Sequence, residues 1–221
     1  MGFTTDSLIL LTDGITTKLG KDLRRGDVVL STDGKHAIVK WILYSELSKD
    51  SLGGDVFEMK EDAPKCIHIP NRTWPLLRIS SMHPFRLSPR DPWQWPVSCP
   101  LMTKKDKPRR PGKLHLMSIM LYPHPDGTHP CYSVFVNGTE CLCMGTGQKG
   151  YNLDAWGFYG SPLVELYIRT MYDAADNNDD SSNDGNGARG DYDNKANSGI
   201  VTTNDDLQDK WMRFSFDVNN N

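Results

Sequence analysis

Reversal signals divide this chain into pieces too short for most helices. Asp13-Gly14, Asp33-Gly34 and Asn137-Gly138 are turn dipeptides, because Gly, and to a lesser degree Asn and Asp, tolerates positive φ. Between them lie runs rich in β-branched, aromatic and other apolar residues: 7–11, 16–19, 23–30, 36–44, 56–59, 66–69 and 75–79. Each has the length of a strand, so the first 90 residues predict an all-β body. Strand signals resume at 114–121. They end in a hairpin, where 132–136 and 141–144 flank Asn137-Gly138.

Proline interrupts this pattern once. Pro84, Pro89, Pro92, Pro96, Pro100, Pro108 and Pro111 remove backbone donors over 84–112, which reads as an insertion running over the surface without regular structure. Trp93 and Trp95 would anchor it. The stretch 163–172 is the one plausible helix, with an extended form as the alternative. From 173 to 206 the chain is Asn, Asp, Ser and Gly with little to bury, and is expected to be disordered. Residues 207–221 regain aromatic character and either dock back on the domain or bind another protein. The division is therefore 1–172 for the folded domain, 173–206 for the Asn/Asp-rich segment and 207–221 for the aromatic segment.

Charge and composition exclude several classes. The net charge of -3 conceals a tail of eleven Asp against four Lys or Arg over 173–221, leaving +4 for the rest. The basic run from Lys104 to Arg110 is then a solvated loop, and no nucleic-acid partner is expected. No apolar run approaches 18 residues, and 8–11 lacks the flanks of a signal peptide, so neither a membrane span nor secretion is expected. Five cysteines, odd in number and without a Cys-x-x-Cys pair, indicate neither a disulfide framework nor a zinc site, and no cofactor. A reducing, cytoplasmic setting and a monomer follow as expectations. Arg189-Gly190-Asp191 and the sequon-like Asn71-Arg72-Thr73 and Asn137-Gly138-Thr139 carry little weight without secretion.

Four segments, in order, resemble the Hint superfamily, the hedgehog/intein self-cleaving domains. Gly2-Phe3-Thr4-Thr5-Asp6-Ser7-Leu8 with Asp13-Gly14 resembles the opening Cys-Phe-x-x-x-Ser block, and Leu23-Arg24-Arg25-Gly26-Asp27-Val28-Val29-Leu30 the Leu-x-x-Gly-Asp-x-Val element. Leu77-Arg78-Ile79-Ser80-Ser81-Met82-His83-Pro84 resembles the Thr-x-x-His block, with Ser80 in the threonine position. The runs 117–121 and 134–141 resemble the late strand pair. The detail is most similar to the von Willebrand A-associated branch, called Vint, although two histidine positions of that branch are Thr146 and Trp156 here. The resemblance covers about 2–170 and implies a horseshoe-like, pseudo-two-fold β fold.

It also implies chemistry. In that family the side chain of the first residue attacks the preceding carbonyl, an N-to-S acyl shift that turns an amide into a thioester. Carried over, Gly2 holds the nucleophile position, Ser80 bonds near the scissile amide, and His83 donates to its nitrogen, a role suited to a neutral imidazole near pH 7. His115 is the second histidine candidate, Ser118 lies where inteins often carry Asp, and Cys141 or Cys143 stands near the centre. The substrate is the chain's own upstream polypeptide. Glycine has no side chain to attack with, so this chain should not cleave by that route. Either the protein is naturally silent or a cysteine has been replaced, and the Met directly before Gly2 favours replacement. No terminal His-Asn follows Gly138, so cleavage rather than ligation is implied. The alternative is a non-catalytic protein-binding module on the same scaffold.

Overall fold

The computed structural model describes residues 2–32, 34–46, 55–106, 115–122, 133–144 and 200–203, with Glu46 and 200–203 described by backbone alone. The described chain is all-β. Its strands are β1 (Phe3–Thr4), β2 (Leu8–Leu10), β3 (Thr17–Leu19), β4 (Val28–Leu30), β5 (His36–Glu46), β6 (Val56–Met59), β7 (Arg78–Ser80), β8 (Phe85–Arg86), β9 (Met102–Lys105), β10 (His115–Leu121), β11 (Ser133–Val136), β12 (Thr139–Leu142) and β13 (Ile200–Thr203). Single 3-10 turns follow β3 and precede β9, at Gly20–Asp22 and Pro96–Ser98.

Two sheets result. The larger runs β13-β5-β10-β1-β7-β6-β9, with β4 also on β5, and the smaller runs β3-β2-β11-β12-β8. All pairings between these strands are antiparallel except β13 on β5. Phe3 and Ile79 from the first sheet and Phe85, Val134, Val136 and Cys141 from the second fill one shared core. Burial of Phe3 alone contributes roughly 2–3 kcal/mol.

The Asn137-Gly138 hairpin forms as its composition predicts, with φ of 49° and 75°. It is also a junction. The Asn137 side chain accepts the Leu8 N–H at 2.7 Å and donates to the Leu76 carbonyl at 3.1 Å, while the Gly138 carbonyl accepts the Cys66 N–H at 2.8 Å. Trp74 lies flat enough on Gly138 that any Cβ there would stand 2.8 Å from its ring. With Asn137 only 2% exposed, its sequon is sealed in the fold.

Several expectations are corrected. The segment 84–112 is not a simple surface excursion: β8, the Pro96–Ser98 turn and β9 lie within it, and Phe85, Leu87, Cys99 and Met102 are buried. Pro84, Pro89, Pro92, Pro96 and Pro100 fall outside β8 and β9, which therefore keep their own N–H groups. Conversely, 66–69 and 75–77 form no strand, because their main-chain groups serve the hairpin and the tryptophan instead. Within 173–206, Ile200–Thr203 forms a strand along Ile42–Ser45, as four β-branched residues in a row would favour. The expected helix at 163–172, Arg189-Gly190-Asp191, Thr146, Trp156 and the segment 207–221 lie outside the described residues.

Gly138→Ala should lower stability by about 1–3 kcal/mol, since it meets both a left-handed φ and the Trp74 ring. An unchanged urea midpoint would show that neither constraint matters.

Candidate functional site

Strand β1 is two residues long and lies between β7 and β10, with Phe3 opposite Ile79 on one side and Met117 on the other. Extending both registers by one residue places Gly2 between Ser80 and Ser118. The contact with Ser80 is reciprocal: the Gly2 N–H donates to the Ser80 hydroxyl at 2.9 Å, and the Ser80 N–H donates to the Gly2 carbonyl at 2.8 Å. The nitrogen so held is that of the peptide bond joining residue 2 to the residue before it. Ser80 and Ser118 are both buried, at 1% and 0% exposure.

On the other side stands the β10 backbone. Gly2 has φ of 148°, outside what L-residues normally adopt, and a Cβ built on it would collide with the Met117 carbonyl, 2.7 Å from its carbon. Position 2 therefore lacks a nucleophile and also the space for one in this backbone conformation. A side chain here requires either the residue-2 backbone to turn away from Met117 or β10 to draw back.

His83 follows from the tight turn after β7, where its N–H donates to the Ser80 carbonyl at 3.1 Å. Its ring is fully buried and meets Phe3 edge-on, with centroids 5.6 Å apart. Burial, helped by the N-terminal ammonium and opposed by a hydrogen bond with the Leu142 backbone, pushes its pKa down to about 3. Neutral at pH 7, the ring can share a proton only as imidazole, so imidazolium acid catalysis would need water or charge to enter.

The other predicted residues separate. His115 begins β10, where its carbonyl accepts the Thr5 N–H at 3.1 Å; three residues from Ser118, it points to the opposite face of the strand. Cys141 sits in the core on β12, opposite Phe85 and Val134, on the second sheet rather than beside Gly2. Burial raises its thiol well above the usual range, so it is no ready nucleophile. Cys143 is likewise buried. Cys66, Cys99, Cys141 and Cys143 are free thiols, and among the described residues no cluster of His, Cys, Asp or Glu could hold a metal ion. No helix among them is long and apolar enough to cross a membrane. Of the basic run, Lys104 pairs with Asp55 and Lys105 with Glu58, at 2.7 and 2.5 Å.

Sequence reasoning missed three participants because each acts through its main chain. Met117 supplies the wall behind Gly2, and Leu142 the partner of His83. Met144 donates its N–H to the Ile119 carbonyl at 2.8 Å, on the β10 edge that also carries β1. Along β10, Gly2 therefore faces Ser118 and Met144 bridges Met120.

No family model matches the chain, and neither does any curated protein. Solved structures that it resembles include a DnaB intein from Synechocystis, at 12% identity and TM-score 0.43, over 64% of this chain and 96% of that one. A bacterial intein-like domain from Clostridium thermocellum is 11% identical at TM-score 0.43, over 64% and 99%. The Msm DnaB1 intein splicing domain, bound with zinc, is 10% identical at TM-score 0.36, over 64% and 99%.

Two outcomes test the geometry. A histidine with its pKa depressed from 6.5 contributes stability that is whole above pH 6.5 and lost as pH falls toward 3, by roughly 1.4 kcal/mol per unit. The parent should therefore lose more stability across that window than His83→Gln, as followed by thermal melts; parallel curves would contradict a buried neutral ring. Gly2→Ala should shift the Ser80 amide resonance in a proton–nitrogen NMR spectrum, whereas an unmoved signal would mean that Met117 is no barrier.

Proposed function

We propose that this chain is a self-processing domain of the Hint type, acting on the peptide bond between residue 2 and its own upstream polypeptide, and silent here because position 2 is glycine. The observation that carries the reading is the grip on one amide: the Gly2 N–H on the Ser80 hydroxyl, four residues' span from a buried histidine packed on Phe3. The ordered family motifs at 2–14, 23–30, 77–84 and 117–141 support the same reading.

With cysteine at position 2, its sulfur would bond to the upstream carbonyl carbon while the carbon–nitrogen bond breaks, and the proton given up by the thiol ends on the freed amine. Ser80 would hold the departing nitrogen, and the neutral His83 ring would share its proton with it. Water then releases the upstream chain as an acid and regenerates the thiol. The Vint relationship and a cytoplasmic setting belong to the same proposal, as does the absence of ligation.

The test fuses a reporter upstream and makes Gly2→Cys. A folded product should shed the reporter, faster with dithiothreitol, and should stop doing so when His83→Ala is added. A chain that stays whole with and without thiol, while its NMR spectrum shows a native fold, would sink the proposal in favour of a binding module.

A further inference from the structure

Glu140 on β12 is fully buried, and a buried carboxylate is costly unless its oxygens are matched. Here they are matched well. Arg86 donates through Nε to one oxygen and through Nη2 to the other, both at 2.6 Å, and the Ser133 hydroxyl adds a bond of 2.7 Å. The guanidinium is covered in turn by Trp93, 4.7 Å from its ring centroid. Apolar replacements for such pairs are commonly neutral or stabilising, so stability alone gives little reason for the fork. A fixed alignment of strands gives a better one.

The fork lies where alignment is least secured by the main chain. β8 is two residues long, with Arg86 opposite Glu140 and Phe85 opposite Cys141. At the first of these pairs a third segment intrudes: the Glu140 N–H donates to the Cys66 sulfur at 3.4 Å, and that thiol donates to the Arg86 carbonyl at 3.1 Å. At Pro84 there is no N–H to give, only a carbonyl that accepts from Leu142 at 3.1 Å. One position further on, the Leu142 backbone meets the His83 ring. A slip of one residue between β8 and β12 would turn side chains to the wrong face and take the Leu142 backbone away from the imidazole.

We infer that the Arg86–Glu140 fork is a positioning pair for His83. It sets the β8–β12 register and, through the Leu142 backbone, fixes which imidazole nitrogen carries the hydrogen and where the other points. The inference rests on the proposed reaction centre for its effect on cleavage, but the placement of the ring has a readout of its own.

The experiment uses the full chain at pH 7, with nitrogen NMR of the His83 ring. The parent should show one tautomer. Arg86→Met combined with Glu140→Leu should fold with an equal or higher thermal midpoint, yet its two ring-nitrogen signals should converge, as in tautomer exchange. Should the double variant fail to fold, Arg86→Lys keeps the charge without the two-pronged geometry and should show the same convergence. Unchanged ring signals in a folded variant would overturn the inference. In the reporter fusion carrying Gly2→Cys, the same variants should cleave up to about a hundredfold more slowly. Converged ring signals with undiminished cleavage would leave the positioning intact and overturn the reaction-centre reading instead.

Discussion

Two hydrogen bonds between Gly2 and Ser80 hold the two-residue strand β1, and the two sheets meet around what it carries. Phe3, the next residue, is inserted into the shared core and presses on His83. The amide of residue 2 is therefore clamped from one side by a hydroxyl and backed on the other by the Met117 carbonyl. In the proposed reaction this arrangement would position the bond by strand pairing.

Burial then sorts the ionisable groups. His83 is driven neutral, Cys141 and Cys66 are held as thiols, the latter pushed up to about 11, and the Glu140 carboxylate is bonded to Arg86. Burial holds the histidine and the two thiols in their neutral forms, whereas the Glu140 side chain faces the Arg86 guanidinium through two bonds. The interior thus holds thiols poorly suited to attack and an imidazole poorly suited to accept a full charge.

Much of the scaffold was legible in the residues. Asn137-Gly138 marked its hairpin because two adjacent left-handed residues have few other uses, and 36–44, 56–59 and 114–121 appeared as strands from their apolar content. The pairing of Gly2 with Ser80 was legible only through the family motifs, since local pattern says nothing about strands that meet across 78 residues. What escaped was of two kinds. Proline density at 84–112 masked β8 and β9, because composition averages over short strands lying between prolines. The roles of Met117 and Leu142 escaped because backbone atoms are common to every residue, and only register selects them.

The brevity of β1 also governs when the centre comes into being. Its two residues must find Ile79 and Met117, far along the chain, so two large loops have to close before either contact is rewarded. A strand this short has no local stability to wait with. Completion of the fold and assembly of the centre are then a single late event: a ribosome-bound chain lacking β10 has no wall behind residue 2, and any reaction there is timed by synthesis of the whole domain.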